Sequence, residues 1–202
     1  MGTVVVKSEA GAKLQTFTCD LFREWGPEIA VDAATTASVL DYHGESFVSG
    51  LQTTDLDFDG LPDILAVRDF GAKWAKYCIW LFDPNQGRFI QDPLSRQMEE
   101  LVNLTVDAEH HEIVAFTIGP TYPMRDEYRI DSRSTVRNAQ RRLLPVRSCE
   151  LDTGEKEGAA RTATVVTYAN GKDVVQRRTV SDGCNDVCGD GCPTMSGKPA
   201  RR

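Results

Sequence analysis

The sequence predicts an all-β fold, an antiparallel β-sandwich-like domain with one short helix and a Cys-rich C-terminal tail. Short segments rich in β-branched and aromatic residues recur along the chain, and turn-forming residues separate them about every ten residues. The chain has 202 residues, of which 41% are hydrophobic, so it can bury one substantial core. We expect a single β-rich domain over residues 1–182 and a partly disordered, Cys-rich tail over residues 183–202.

Ten segments have the composition and alternation of strands. They are Thr3–Lys7, Leu14–Cys19, Ser46–Leu51, Ile64–Val67, Tyr77–Phe82, Leu104–Val106, Ile113–Ile118, Leu144–Cys149, Ala163–Tyr168 and Asp173–Val180. Two hairpins are predicted by their turns. The turn Asp83–Gly87 contains Pro84, which fixes φ, and ends in a glycine that can take a positive φ, whereas Asn170-Gly171 favours a type I′ turn.

One helix is predicted, over Pro93–Val102. Asp92 can serve as its N-cap, proline is favoured at the first helical position, and Leu94, Met98 and Leu101 fall on one face.

Charge is distributed unevenly along the chain. Residues 1–124 contain 8 Lys and Arg against 19 Asp and Glu, and residues 125–202 contain 15 against 11. The acidic first part argues against nucleic-acid binding and suits a cationic partner, although a solvated surface has the same character. Residues 125–147 carry seven arginines against three acids, which indicates a mobile surface loop or an arginine-rich binding edge, and we favour the loop.

The chain contains six cysteines, and the last three lie in a Gly-rich stretch. Cys184, Cys188 and Cys192 have C-x3-C-x3-C spacing, which differs from the C-x2-C pairs of zinc sites. We therefore favour disulfides and an oxidising compartment over zinc or free thiols, with the pairing left open among 15 connectivities. No apolar run is long enough to span a membrane, and the first residues do not form a signal peptide. A chain that begins after a removed signal peptide would look the same.

The stretch DLDFDGLPDI has the spacing of a calcium-binding loop. Side-chain oxygens fall at positions 1, 3, 5 and 9, with glycine at position 6 and a backbone carbonyl available at position 7. The predicted ligands are Asp55, Asp57, Asp59, Asp63 and the Leu61 carbonyl. Because a hard cation requires six to eight oxygens, a tight turn that directs alternate aspartates inward suits Ca²⁺, and a bare acidic turn is the alternative.

This loop differs from an EF-hand. Position 12, where a bidentate glutamate belongs, is Ala66, and Pro62 at position 8 has no N–H for pairing with a second loop. The residues that follow, ILAV, predict a strand. We therefore expect calcium to be structural, because no helix pair is available for a calcium-driven opening.

Catalytic motifs are not evident in the sequence. His43, His110 and His111 fit no H-E-x-x-H frame, and neither a G-x-S-x-G elbow nor a phosphate-binding loop is present. The 30 acidic residues could contain a glycosidase pair, but nothing in the sequence distinguishes one. We predict a binding protein and not an enzyme.

The aspartate loop, the following YCIWLFDPNQGRFI hairpin, the segment LSRQMEELVNL and the stretch EIVAFTIGPTYPMRDEYRID together resemble a bacterial family. They are similar to periplasmic immunity proteins that neutralise lysozyme-like peptidoglycan hydrolases delivered by secretion systems such as the type VI system. These proteins are related to periplasmic inhibitors of invertebrate-type lysozyme. The resemblance covers about Thr53 to Asp131 and, more loosely, the YANGKDVVQRRTV hairpin. Its most specific element is the aspartate loop joined to an aromatic-Asp-Pro-x-x-Gly-x-Phe hairpin.

The resemblance implies a β-sandwich-like domain, a calcium ion in the aspartate loop, a periplasmic location, and inhibition by a loop that enters the active-site cleft of a cognate hydrolase. Related inhibitors use a Ser-Gly-x-Tyr-type loop, whereas this chain has Thr-Ile-Gly-Pro-Thr-Tyr at the corresponding place, residues 117–122. The expected toxin-binding residues are Gly119, Thr121, Tyr122, Met124 and Arg125. In the alternative, Tyr122 packs on its own sheet and Arg125 is solvated. A secreted calcium-stapled adhesion or carbohydrate-binding module and a cell-wall hydrolase are the other functional hypotheses.

Overall fold

Twelve strands and one short helix build the part of the chain that the computed structural model describes, residues 2–20, 51–71, 74–117, 123–131, 141–152, 161–180 and 187–188. The elements are β1 (Gly2–Lys7), β2 (Lys13–Cys19), β3 (Leu51–Thr54), β4 (Asp63–Gly71), β5 (Trp74–Asp83), β6 (Arg88–Ile90), α1 (Pro93–Glu99), β7 (Thr105–Asp107), β8 (Glu112–Thr117), β9 (Met124–Ile130), β10 (Leu143–Asp152), β11 (Arg161–Ala169) and β12 (Lys172–Val180). They form a β1-β2 hairpin, a sheet of order β3-β4-β5-β6 and a sheet of order β12-β11-β10-β9-β8-β7. The all-β, antiparallel, sandwich-like fold is confirmed.

The chain divides into two compact units, of which the first comprises Met1–Ile113 and Ile130–Leu144. Its centre is the β4-β5 pair, whose burial on both faces follows from continuous apolar runs in the two strands. On one face the β1-β2 hairpin contributes Phe17, which stacks on Trp80 with ring centroids 4.8 Å apart. A disulfide between Cys19 and Cys78 links this hairpin to β5.

Helix α1 contacts β5 and supports the edge of that strand. Leu94 and Met98 of the helix are fully buried. The Glu99 carboxylate accepts a hydrogen bond from the Ile79 N–H (2.9 Å), and the Asn103 side chain accepts one from the Ala75 N–H (2.8 Å). Two backbone donors of β5 beyond its pairing with β6 are therefore satisfied by side chains of the helix and the residues that follow it.

The second unit comprises Val114–Arg129 and Pro145–Arg202. Its core is a cluster of buried side chains from β10, β11 and β12 together with Val187 and Cys188. A disulfide joins Cys149 to Cys188. The C-terminal stretch is therefore anchored by a cysteine, as the sequence predicted, and contributes two residues to the core.

Most of the predicted elements are present. The Asn170-Gly171 turn has φ values of 53° and 71°, which are those of a type I′ turn, and Gly87 in the β5-β6 turn has a φ of 61°. The helix begins at Pro93 with Asp92 as its N-cap but ends at Glu99, three residues before the predicted end. Residues 46–50 of the predicted strand Ser46–Leu51 lie outside the described residues.

The prediction of a loop across residues 125–147 is wrong in the described part. Strand β9 covers Met124–Ile130 and β10 begins at Leu143. β9 pairs inside a sheet, where three of its four charged residues are half-buried or buried, and a strand with charged residues in such positions has no apolar alternation in its sequence. The prediction of paired cysteines is confirmed by Cys19–Cys78 and Cys149–Cys188, whereas Cys184 and Cys192 lie outside the described residues.

Candidate functional site

The aspartate loop connects β3 to β4, and its turn depends on two residues with positive φ. Phe58 has a φ of 61° and Gly60 a φ of 86°. The Asp55 carboxylate closes the turn by accepting hydrogen bonds from the backbone N–H groups of Asp59 (3.2 Å) and Gly60 (3.0 Å). This backbone path folds the alternate aspartates towards one side, as the spacing predicted.

Asp63 is the first residue of β4 and is fully buried. One carboxylate oxygen accepts a hydrogen bond from the Leu56 N–H in the loop, and the other accepts one from the Phe82 N–H near the end of β5, both at 2.8 Å. Burial raises the pKa of Asp63 to about 7, although these two N–H groups favour the ionised form. Asp63 therefore links the loop to the base of the β5-β6 hairpin through its carboxylate. Ionisation of this buried carboxylate costs free energy, because burial removes it from water.

Asp57 has a buried carboxylate with one unsatisfied oxygen. Its side chain is only 1% exposed, and Oδ2 accepts a hydrogen bond from the Arg141 guanidinium. Oδ1 is buried and has no hydrogen-bond partner. Burial also raises the pKa of Asp57 above its usual range, despite the opposing effect of Arg141. An unsatisfied buried carboxylate oxygen costs free energy unless a cation or a donor approaches it.

Three of the predicted ligands come together in the structure. Asp55, Asp57 and Asp63 each offer a carboxylate oxygen, and these three oxygens lie within 4.8 Å of one another. Three converging oxygens of this kind can hold a hard metal cation, and the unsatisfied Asp57 Oδ1 fits such an ion. Asp59 is not part of this group; its Oδ1 accepts a hydrogen bond from the Leu61 N–H at 2.9 Å. Coordination by Asp59 and by the Leu61 carbonyl stays a prediction.

Arg141 is a functional residue that the sequence reasoning did not identify. Besides Asp57, its guanidinium contacts Asp92 Oδ2 at 3.2 Å, so it bridges the loop and the N-cap of α1. The helix fixes the position of this segment, because the Leu143 N–H donates to Gln97 Oε1 at 3.1 Å. The only sequence signal was the high arginine content of residues 125–147, which does not distinguish one arginine from the others.

The predicted toxin-binding residues surround the connection between β8, which ends at Thr117, and β9, which begins at Met124. Gly119, Thr121 and Tyr122 lie outside the described residues. Met124 and Arg125 are half-buried at the start of β9.

Arg125 has contacts within its own unit. Its Nε lies 2.8 Å from Glu127 Oε1, a distance that makes an ion pair although the N–H is not aligned for a hydrogen bond. The guanidinium carbon lies 5.5 Å from the centroid of the Phe116 ring, within the range of a cation–π contact. The structure thus places Arg125 at the base of the connection, paired with a neighbouring carboxylate.

Two of the three histidines, His110 and His111, lie in the turn between β7 and β8. His110 Nδ1 lies 2.9 Å from Asp107 Oδ2, and this hydrogen bond raises the pKa of His110 above its usual range. The His111 ring lies against Phe58 of the aspartate loop with ring centroids 5.1 Å apart. His43 lies outside the described residues.

Comparison of the chain with protein-family models, with curated proteins and with solved structures gives no match. Among the described residues, no helix is long and apolar enough to cross a bilayer.

Proposed function

We propose that this protein is a periplasmic immunity protein that binds a secreted peptidoglycan hydrolase and blocks its active-site cleft. The resemblance on which the proposal depends is the aspartate loop joined to an aromatic-Asp-Pro-x-x-Gly-x-Phe hairpin. In the structure the Asp63 carboxylate hydrogen-bonds to Leu56 in the loop and to Phe82 at the base of that hairpin. The two most specific parts of the resemblance therefore form one connected unit, and this observation carries the proposal.

We propose Ca²⁺ as the ion of the aspartate loop, with Asp55, Asp57 and Asp63 as ligands and Asp59 and the Leu61 carbonyl completing the oxygen set. Oxygen ligands on a turn with glycine at its apex suit Ca²⁺ better than Mg²⁺, which prefers a rigid octahedron with several waters. The ion would neutralise three carboxylates, two of which are deeply buried. Its role is to stabilise the first unit.

The two disulfides support the proposed periplasmic location, because disulfides persist in oxidising compartments. Calcium sites of extracellular modules bind Ca²⁺ with Kd values of about 10⁻⁴ to 10⁻³ M. An affinity in this range would be enough for the proposed structural role of the ion in the periplasm.

The contact with the hydrolase is assigned to the β8-β9 connection, residues 118–123, together with Met124. Arg125 pairs with Glu127, and we assign it to holding the base of this connection. The sequence of the connection contains two prolines, which limit backbone freedom, and an aromatic residue, so its binding would cost little conformational entropy. Tyr122→Ala should therefore weaken binding of the hydrolase and leave the thermal stability of the protein unchanged.

Complex formation tests the proposal. A peptidoglycan hydrolase, sought among the reading frames adjacent to this gene and mixed with the protein in calcium, should co-elute with it as a stable complex in size-exclusion chromatography. Separate elution at micromolar concentrations would contradict the proposal. Glycan binding that a chelator abolishes would favour a carbohydrate-binding module, and cleavage of peptidoglycan by this protein alone would make it a hydrolase.

A further inference from the structure

Strand β12 forms one end of the six-stranded sheet, so within the described residues its outer edge has no pairing strand. It is nine residues long and pairs with β11 in a continuous register from Arg161–Val180 to Ala169–Lys172. Proteins usually protect such an edge with a short strand, a proline or a bulge. This edge has a straight register and no proline, so it can accept another strand.

The outer half of this hairpin is exposed on both faces. Val174 and Val175 are 50% and 59% exposed, and as adjacent residues of a strand they point to opposite faces. At the other end, Val180 is buried in the core cluster of the second unit. A strand that buries one end in a core and exposes valines on both faces at the other end leaves apolar surface that its own unit does not cover.

Charged residues flank these valines. Lys172 and Arg177 are exposed, and Arg178 is half-buried with its guanidinium donating to the Gln176 side chain at 3.2 Å. The strand carries three basic residues and one acidic residue, Asp173. Basic side chains alone could protect the edge by repelling other strands. Exposed valines do not protect an edge, because apolar side chains favour pairing with another strand.

We propose that β12 is a docking edge for an extended, acid-bearing strand of a partner protein, which adds to the sheet by β-augmentation. The backbone of the partner strand would hydrogen-bond to the edge. Two adjacent apolar residues would face Val174 and Val175, and carboxylates would face Arg177 and Lys172. A second copy of β12 fits poorly, because each strand carries a net charge of +2 and the full antiparallel register would place an arginine opposite each exposed valine. The inference does not depend on the partner being a hydrolase.

A synthetic peptide can test this edge without knowledge of the natural partner. The antiparallel complement of β12 is Thr-Thr-Glu-Glu-Thr-Val-Val-Lys-Glu, and the matched control exchanges every charge, Thr-Thr-Lys-Lys-Thr-Val-Val-Glu-Lys. The full-length protein should bind the acidic peptide about tenfold more tightly than the control, since four cross-strand pairs change from attraction to repulsion. Binding should slow hydrogen exchange at backbone amides of Lys172–Val180.

A second test reverses two charges on strand β12 of the protein. The double variant Lys172→Glu with Arg177→Glu alters exposed side chains, so it should fold normally and lose the preference for the acidic peptide, since two of the four charged cross-strand pairs are then attractive with either peptide. Binding of neither peptide or equal binding of both by the wild type, an unchanged preference of the variant for the acidic peptide, or slowed exchange confined to other strands would overturn the proposal. Sedimentation showing a dimer of the protein with protection of the same amides would assign the edge to a second copy and would equally overturn it.

Discussion

The ion pair between Arg141 and Asp57 leads to a specific prediction. The Arg141 side chain extends to the aspartate loop, where its guanidinium donates a hydrogen bond to the buried Asp57 carboxylate. The substitution Arg141→Gln keeps much of the side-chain length and removes the charge. It leaves Asp57 with two unsatisfied oxygens, because Oδ1 already has no partner.

The expected loss of stability in the Arg141→Gln variant follows from the burial of the two side chains. Removing one partner of a buried ion pair costs about 3 to 5 kcal/mol, because the remaining charge stays uncompensated. The Asp57 side chain is 1% exposed but that of Arg141 is 39% exposed, so solvent already screens part of the interaction. We expect a loss of about 2 kcal/mol in chelator, which lowers the Tm of a chain of this size by about 4 to 8 °C.

Thermal unfolding followed by circular dichroism, in chelator and in saturating calcium, measures this effect. A bound Ca²⁺ would supply the missing positive charge, so the substitution should cost less than about 1 kcal/mol in calcium. The chelator-dependent shift in Tm should therefore be larger for Arg141→Gln than for the wild type.

The neighbouring Arg142 provides a matched control. Its Nε lies 3.7 Å from Asp131 Oδ2, and its side chain is 64% exposed. Arg142→Gln removes the same charge from a surface pair and should cost less than about 0.5 kcal/mol in either condition. Equal stability of the two variants in chelator would refute the role given to Arg141. A large loss for Arg141→Gln that calcium does not reduce would preserve that role and contradict the metal site.

Three further predictions concern disulfides and pH. Replacing Cys19 and Cys78 by alanine should cost about 4 kcal/mol, since their disulfide closes a loop with a sequence separation of 59, and urea denaturation checks this value. The pKa of Asp63 is raised to about 7, so in chelator the folded protein binds more protons than the unfolded chain between about pH 4 and 7. The stability of the protein in chelator should therefore fall as the pH rises from about 4 to 7. A series of Tm measurements in calcium should lack this fall, because a bound cation favours the ionised carboxylate. NMR titration should place the pKa of His110 above 6.5, and Asp107→Asn should lower this pKa. The contribution of the His110–Asp107 pair to stability is present at low pH and is lost as the pH rises through the raised pKa.

The sequence predicted the fold class and most strands because the relevant signals are local. Alternation of apolar residues, the Asn170-Gly171 pair and the Asp92-Pro93 helix start each specify backbone geometry within a few residues. The aspartate spacing predicted convergence in the same way, since the alternate spacing of Asp55 and Asp57 and the turn at Gly60 are local features of the sequence.

Features that depend on tertiary contacts could not be predicted. Asp57 and Arg141 are separated by 84 residues, and no local rule selects this arginine from the seven in residues 125–147. The disulfide partners have the same limitation, because six cysteines allow 15 connectivities. Strand β9 was missed because it carries four charged residues among seven, a composition that favours a loop when its pairing partners are unknown.

A titration of hydrolase activity tests the central claim most directly. Cleavage of purified peptidoglycan by the cognate hydrolase, sought among the reading frames adjacent to this gene, should decrease in proportion to added protein and reach zero at a one-to-one ratio in calcium. Undiminished cleavage in the presence of a molar excess of the folded, calcium-loaded protein would contradict the claim that this chain is an immunity protein.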